Sequence, residues 1–298
     1  MFKKFMKMGL AGLLALSFSA CSAQEDEPVS ILCPSGAPAL ALLGLAHDEN
    51  VSIDYASQDV LQAELSKKDG EYDVIVAPTN LGAKLYGASE TYQLQSVLTW
   101  GNLYIVGPNG QDFTQGSIGA FGENAVPQLV FNYSYDTTNL DVTYYSDVAQ
   151  AQQALLTGQV DSALLAMPVA QACIAKGKEN NMDLAILSDV QASFKEKSGS
   201  DLNGYPQASL FVKKDSVKKV DYVLNEISEF IDSCQQQDIL DRIDEVGAET
   251  LGVPSAEICA KTWDKQNIRF VQANEAKDDI INFLSLFNIE VNESLFVE

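Results

Sequence analysis

Four short apolar runs are each followed by small or polar residues whose types suit the binding of a ligand. Each run is typical of a buried strand, and the turn after it leads into a helical pattern. The first turn of a helix has unpaired N–H groups, and small residues leave them open to a ligand. The predicted contacts are Ser35, Gly36, Ala37 and Pro38 at the first turn, Thr79 and Asn80 at the second, Phe121, Gly122, Glu123 and Asn124 at the third, and Met167 at the fourth.

Two further stretches add aromatic and amide side chains. Trp100, Asn102 and Tyr104 alternate along a strand pattern, so we expect all three to lie on one face of that strand. Tyr205 begins a second pattern of the same kind. Aromatic side chains with polar tips suit a flat ligand in a cleft, and packing at a hinge is the alternative explanation.

Several of these residues also have a structural explanation. Thr79 and Asn80 are typical of a helix N-terminus. The helix dipole alone would favour Glu123 at a helix start, and Met167 suits core packing. Both explanations stay open for these positions.

The elements that carry the candidate residues occur twice in the chain. The first copy contains "ILCPSGAPALALL", "VSIDYAS" and "LSKKDGEYDVIVAPTNLGAKLY", and the second contains "SIGAFGENAVPQLVF", "DVTYYSD" and "LLTGQVDSALLAMPVAQACIA". Within each copy, Asp73 or Asp161 follows a glycine by three residues, and an apolar strand then ends at Pro78 or Pro168. Alternating strands and helices predict two α/β lobes, each with a mostly parallel sheet flanked by helices. Because ligands of such sheets lie at the carboxyl ends of the strands, the two lobes are predicted to enclose a cleft.

Two long strand patterns are predicted to join the lobes. They are Ser96–Gly107, "SVLTWGNLYIVG", and Tyr205–Asp215, "YPQASLFVKKD". The predicted organisation is lobe 1 at 29–107 and 205–298, with lobe 2 inserted at 108–204. Apolar spacing of three and four predicts helices within "VKKVDYVLNEISEFIDSC" and "AKDDIINFLSLF", and "IRF" at Ile268–Phe270 is a predicted edge strand.

The N-terminus has the pattern of an export signal. In "MFKKFMKMGLAGLLALSFSAC", three lysines precede an apolar run, and small residues precede Cys21. We expect a signal peptide at 1–20, cleavage before Cys21 and lipid on its sulfur, because the position of this cysteine resembles bacterial lipoprotein signals. An ordinary signal peptide is the alternative. The polar, acidic residues 21–28 are a predicted tether.

Charge and residue counts exclude several function classes. Removal of the signal peptide takes away three lysines and no acidic residue, which lowers the net charge from −22 to −25. Such acidity argues against nucleic acid and anionic lipid head groups, so the lipid anchor is the only predicted membrane contact. With one histidine, His47, and no CxxC pair, we expect neither a metal site nor a cofactor. Pairing of Cys234 with Cys259 stays open.

A family resemblance covers nearly the whole chain after the signal peptide. In order, "PSGAPALALL", "VAPTNLGAKLY", "TWGNLYIVG", "SIGAFGENAVPQLVF", "ALLAMPVA", "YPQASLFV" and "NIRFVQANEAKDDI" resemble the substrate-binding lipoproteins of ABC importers, in the branch related to nitrate, taurine and thiamine-precursor binding proteins. The resemblance implies the type II periplasmic-binding-protein fold. It also implies an extracytoplasmic protein that captures a small molecule and delivers it to an ABC permease.

Two other functions compete with transport. One is a surface sensor or interaction lipoprotein that uses the same cleft. The other is an enzyme similar to the thiamine-pyrimidine synthases, which share this fold but work inside the cell. A Ser35–His47 hydrolase is disfavoured because Ser35 lies outside any G-x-S-x-G motif and no second histidine exists.

The residue types at the predicted cleft also indicate a ligand class. The predicted edges contain no arginine or lysine, whereas Trp100, Tyr104, Phe121 and Tyr205 offer rings and Glu123 offers one carboxylate. Stacking and cation–π contacts on such rings favour a neutral or weakly cationic heterocycle over nitrate or a sulfonate.

Overall fold

The computed structural model describes residues 27–199 and 203–297. The predicted signal peptide, Cys21 and most of the predicted tether lie outside these residues. None of the helices in the described ranges combines the length and the apolar character that a membrane span requires.

Strands and helices alternate over most of the described chain. The strands are β1 (Val29–Cys33), β2 (Val51–Tyr55), β3 (Val74–Pro78), β4 (Tyr92–Thr99), β5 (Leu103–Pro108), β6 (Ser117–Phe121), β7 (Asp141–Tyr145), β8 (Ser162–Ala166), β9 (Leu184–Asp189), β10 (Ala208–Lys213) and β11 (Ile268–Gln272). The helices are α1 (Ala37–Leu40), α2 (Gln58–Leu65), α3 (Thr79–Ser89), α4 (Val126–Ser134), α5 (Val148–Leu156), α6 (Val169–Glu179), α7 (Val190–Ser198), α8 (Asp221–Ser233), α9 (Gln236–Val246), α10 (Ala248–Leu251), α11 (Ala256–Lys261), α12 (Trp263–Gln266) and α13 (Lys277–Ser285).

The strands form two sheets with the same internal order. The first sheet runs β2-β1-β3-β10-β4-β11 and the second runs β7-β6-β8-β5-β9. The first five strands of the first sheet thus correspond one by one to those of the second, which confirms the sequence repeat. We call each sheet with its packed helices a lobe.

Both sheets are mixed. In the first sheet β10 and β11 run against the other four strands, and in the second sheet β5 runs against the other four. Most strands in each sheet therefore share one direction, as predicted. The antiparallel strand inside each sheet, β10 or β5, enters it from the other lobe.

The prediction of one continuous strand over Ser96–Gly107 is wrong. The chain forms β4 in the first sheet and β5 in the second, and it changes sheet at 100–102. Gly101 has φ +86°, which breaks the extended conformation between the two strands. In the second predicted pattern, Tyr205–Asp215, only Ala208–Lys213 is strand, and it belongs to the first sheet. The predicted bounds of the lobes stay a prediction.

Apolar side chains cover both faces of the first sheet. Along β1, Ile31 contacts the cluster that includes Ile227 of α8, whereas Leu32 contacts the cluster that includes Ile280 of α13. All four are almost completely buried. This two-sided burial explains the nearly continuous apolar strand sequences. Helices α8 and α13 and edge strand β11 confirm the predictions for the C-terminal part.

Helix α13 touches both lobes. Ile280 and Leu284 pack in the core of the first lobe, whereas Phe283 packs in the cluster formed by the second sheet. The Phe283 ring is stacked on Tyr205, with 5.8 Å between ring centroids and 13° between planes. The lobes are therefore connected by this helix in addition to the two crossing segments.

The repeated aspartates form the same contact in each lobe. Asp73 Oδ2 accepts hydrogen bonds from the Ser30 N–H (2.9 Å) and hydroxyl (3.1 Å), and Asp161 Oδ2 does the same with Ser117 (2.8 Å for both). Each pair joins the starts of two parallel strands, β1 with β3 and β6 with β8. Only Asp73 also pairs with a lysine, since Lys219 Nζ lies 2.8 Å from its Oδ2.

We predict that Asp73→Asn lowers the free energy of unfolding by about 1–3 kcal/mol at neutral pH. Burial opposes ionisation of Asp73, but hydrogen bonds from Lys219, Ser216 and Ser30 outweigh it and lower the pKa of the carboxyl. An aspartate whose pKa is lowered on folding stabilises the protein above its unfolded pKa of about 3.9, and this stabilisation is lost as pH falls through the lower folded pKa. Urea unfolding of the parent protein and of Asp73→Asn at several pH values measures this stabilisation.

The difference in the free energy of unfolding between the parent protein and Asp73→Asn should accordingly become smaller below about pH 4. Asp161→Asn is the matched control, because Asp161 makes the same serine contacts on an exposed surface without a lysine. A loss for Asp73→Asn no larger than for Asp161→Asn would contradict the role given to Lys219.

Candidate ligand-binding cleft

A cavity of about 600 Å³ lies between the two lobes. The first lobe lines it with the turns after β1 and β3, and the second lobe lines it with the turns after β6 and β8. These are the carboxyl ends of parallel strands, where α/β sheets bind ligands. The residues just before β5 and β10, which run the opposite way, lie at the same two edges.

Nine of the predicted site residues line this cavity. They come from all four predicted turns and from the segment that changes sheet. The nine are Ser35, Gly36, Ala37, Pro38, Asn80, Asn102, Phe121, Asn124 and Met167.

The turn after β1 is held in place by a segment from the C-terminal half of the chain. Gly36 has φ +92°, and its N–H donates a hydrogen bond of 2.7 Å to the Leu251 carbonyl. Gly252 lies directly against Ser35, since a Cβ atom on Gly252 would be 2.6 Å from Ser35 Cβ. Position 252 therefore requires glycine, and the sequence analysis did not connect it with the site.

Three predicted residues at the turns lie outside the cavity lining. Thr79 is buried, with its hydroxyl 2.7 Å from that of Ser209 on β10. Gly122 forms the turn itself, with φ +71° and its carbonyl accepting from the Ala125 N–H. Glu123 is exposed. Thr79 therefore has a packing role against β10 and Gly122 a role in the turn, and no carboxylate lines the cavity within the described residues.

The predicted aromatic contacts need a larger correction. Trp100 is completely buried in the core of the first lobe, and its Nε1 donates to the Arg269 carbonyl (3.3 Å). Tyr104 is 6% exposed in the second lobe and donates to the Lys265 carbonyl (2.9 Å). Because the chain changes sheet at Gly101, Trp100 and Tyr104 cannot share a strand face. Tyr205 is completely buried against Phe283.

The two crossing segments lie side by side. The Tyr205 N–H donates to the Trp100 carbonyl (3.1 Å), and Asn267 Nδ2 donates to the same carbonyl (2.7 Å). A Cβ atom on Gly204 would be 1.8 Å from that oxygen, so only glycine fits there. The Arg269 guanidinium lies 4.8 Å from the centre of the Trp100 ring. Arg269 is therefore part of the hinge.

Four polar residues that sequence reasoning missed also line the cavity: Gln58, Gln62, Lys84 and Gln207. Helical spacing could have indicated two of them, because Gln62 is four residues after Gln58, and Lys84 is four residues after Asn80. The repeat could have indicated Gln207. "WGN" precedes β5 and "YPQ" precedes β10, and in each the aromatic residue is buried and the amide residue lines the cavity.

Three amide oxygens in the cavity wall are buried without a hydrogen-bond partner in the described structure. They are Asn80 Oδ1, Asn102 Oδ1 and Gln207 Oε1. A buried acceptor without a partner costs about 1–3 kcal/mol. The amide of Asn102 has a fixed orientation, because its Nδ2 donates to the Met167 carbonyl (2.9 Å). Each of these unpaired oxygens thus belongs to a residue that lines the cavity.

Lys84 is the charged residue in the cavity lining, contrary to the expectation that the cleft edges lack basic residues. Its side chain is exposed. A second cavity of about 410 Å³ is lined by Asn80, Lys84 and Asn124 as well, and by the C-terminal segment around Asn288. Lys84 therefore lies where the two cavities meet.

The remaining reactive side chains lie away from any catalytic arrangement. His47 Nδ1 pairs with Glu245 Oε1 (2.6 Å) on the surface. Cys33, Cys173, Cys234 and Cys259 are free thiols, and burial raises the pKa of Cys33. Within the described ranges, no cluster of histidine, cysteine and carboxylate side chains could hold a metal ion.

Comparison with known proteins identifies the fold. No protein-family model and no curated protein matches the sequence. Among solved structures, an ABC transporter from Parabacteroides distasonis is similar with a TM-score of 0.77 and 20% identity, over 92% of this chain and 99% of that one. The periplasmic aliphatic sulphonate binding protein SsuA from Escherichia coli is similar with a TM-score of 0.60 and 18% identity, over 87% of this chain and 86% of that one.

A third similar structure is the alkanesulfonate-binding protein SsuA from Xanthomonas axonopodis pv. citri bound to MOPS. Its TM-score is 0.56 at 15% identity, and the match covers 91% of this chain and 97% of that one. These similarities confirm the two-lobed type II periplasmic-binding-protein fold. At such identities they show the fold alone.

The buried position of Trp100 leads to a prediction about stability. We expect Trp100→Ala to lower the free energy of unfolding by about 3–5 kcal/mol, because it removes a fully buried aromatic side chain. Urea unfolding measures this loss. Phe121→Ala is the control, since Phe121 lines the cavity and is only partly buried, and its loss should be smaller. Equal losses would show that Trp100 is not a core residue.

Proposed function

We propose that this protein captures a small molecule in the cleft between its lobes and delivers it to an ABC permease. The observation that carries the proposal is the cavity itself, which both lobes line with the carboxyl ends of matched parallel strands. A volume of about 600 Å³ suits a small-molecule ligand. The proposed role is binding, which the similarity in fold to a periplasmic aliphatic sulphonate binding protein supports.

Lobe closure is the step that would make the loaded protein recognisable. The crossing segments at 100–102 and 203–207 are short and adjacent, so rotation about them would open or close the cleft. A ligand that contacts both lobes binds the closed form better and shifts the population toward it. A permease that binds the closed form would then select loaded protein.

The same cleft could serve a surface sensor, and the enzyme alternative has less support. Permease and ATPase genes beside the gene for this protein would favour transport over sensing. Turnover of a bound heterocycle would favour the enzyme. The predicted site residues that line the cavity are proposed ligand contacts. Among the described residues of the lining, Phe121 is the aromatic side chain on which a heterocyclic ligand would stack.

The test of capture is native mass spectrometry of protein purified without denaturation. We expect a bound small molecule that is released on unfolding. Small-angle scattering should then give a smaller radius of gyration when the released fraction is added back to refolded protein. The matched control is the same fraction from an unrelated protein purified in parallel. Absence of both a bound mass and a change in radius contradicts ligand capture.

We further propose that lipid on Cys21 anchors the protein to the cell membrane on its extracytoplasmic side. The sequence before Cys21 supports this proposal through its basic, apolar and small-residue segments. Cys21→Ser should release the protein from the membrane fraction or block removal of residues 1–20, as cell fractionation and intact mass would show. Cys234→Ser is the control, and membrane association of Cys21→Ser equal to that of the parent contradicts the anchor.

A further inference from the structure

The wall of the cleft contains unpaired hydrogen-bond acceptors, and Lys84 is the charged residue among the described residues that line it. Asn80 Oδ1, Asn102 Oδ1 and Gln207 Oε1 are buried and unpaired in the part of the chain that the structure describes. Asn102 is 2% exposed and lines the cavity. Its Nδ2 donates one hydrogen bond to the Met167 carbonyl, which fixes the orientation of the amide, and its oxygen has no partner.

The acceptors come from three separate elements that the fold brings together. Asn80 is in the first turn of α3, Asn102 precedes β5 and Gln207 precedes β10. The backbone around the latter two is fixed. The Asn102 carbonyl accepts from the Met167 N–H (2.9 Å), and the Gln207 carbonyl accepts from the Thr79 N–H (3.1 Å). The side-chain amides are therefore carried on ordered backbone from both lobes.

An anionic group at this wall can accept from amide N–H groups, but it has no donor for the three unpaired amide oxygens. A sulfonate or nitrate supplies acceptors only, so it would leave these oxygens unpaired while losing its own hydration. Lys84 offers little compensation there, because its side chain is exposed to solvent. The wall instead matches a ligand that supplies N–H donors and carries no net charge.

The amide groups of Asn80 and Gln207 also favour a ligand with a particular arrangement of donor and acceptor groups. A primary amide has an acceptor oxygen and two N–H donors side by side. A ring that contains adjacent N–H and C=O groups can pair with such an amide through two hydrogen bonds. The proline and aliphatic residues around the amides, among them Pro38, Pro78 and Pro127, suit the apolar faces of such a ring.

We propose that the cleft binds uncharged ring compounds bearing N–H next to C=O, the class of lactams and cyclic ureides, through Asn80, Asn102 and Gln207. This inference rests on the proposed capture function. The amide acceptors are a reason to expect a neutral heterocycle. Stacking on Trp100 and Tyr205 is not such a reason, because both rings are buried.

The experiment compares matched probes by calorimetry on the purified protein, freed of bound solute. The probes are uracil, hydantoin and 2-pyrrolidone, their N-methylated counterparts, methanesulfonate and nitrate. We expect at least one unmethylated ring to bind with a Kd at least about tenfold lower than its methylated counterpart, because methylation removes the N–H donors. The two anions should bind more weakly than that ring.

Variants then assign the contacts. Gln207→Met keeps the side-chain length without polar atoms and should weaken binding of the preferred ring by about tenfold or more. Lys68→Gln, which changes an exposed lysine outside the cavity lining, should alter it by less than about twofold. Thermal unfolding without ligand checks that both variants are folded, and the N-methyl comparison on the parent protein does not depend on them.

Two outcomes overturn the inference. In one, methanesulfonate or nitrate binds more tightly than every ring. In the other, no ring binds below about 1 mM or methylation makes no difference. Either result leaves the capture function standing if native mass spectrometry finds a bound small molecule, so the two proposals fail separately.

Discussion

The position at which the chain passes between its lobes determines the rest of the structure. Both passages occur at adjacent short segments, joined by the hydrogen bond from the Tyr205 N–H to the Trp100 carbonyl. Gly204 packs so closely on that carbonyl that no side chain fits. Each passage delivers an antiparallel strand to the middle of the other lobe's sheet, and the residue before that strand is an amide that lines the cleft. The hinge and the wall of the cleft are thus consecutive residues of the same segments.

Local sequence pattern was sufficient for most of the fold. Apolar runs, turn residues and the internal repeat predicted the paired α/β lobes, because each signal lies within a few residues of the element that it specifies. The two crossings were predicted, but the break within the first of them was missed. Ser96–Gly107 has an unbroken β pattern, and only the positive φ of Gly101 separates its two halves into different sheets. Long-range pairing of this kind has no local signature.

Prediction of the cleft succeeded where a residue's role follows from its place at the end of a strand. The turn at Ser35–Pro38 and residues Asn80, Asn102 and Asn124 line the cavity for that reason. Aromatic residues were misjudged, because a ring with a polar tip suits a ligand and a hinge equally well. Inside the protein, the Trp100 ring N–H donates to the Arg269 carbonyl, and the Tyr205 ring stacks on Phe283. Burial of this kind depends on tertiary neighbours that one sequence does not reveal.

The exchange of strands also sets an order for folding during synthesis. All five strands of the second sheet lie between residues 103 and 189, whereas β4 of the first sheet pairs only with β10 and β11 among the described strands. The ladder between β3 and β10 pairs residues far apart in the sequence, such as Val74 with Val212. The first lobe is consequently left with unpaired strand edges until the ribosome has passed the second lobe, and such edges invite association with other chains. Early folding of the inserted lobe shortens that exposure, because it brings its two ends together and reduces the loop that β10 must close.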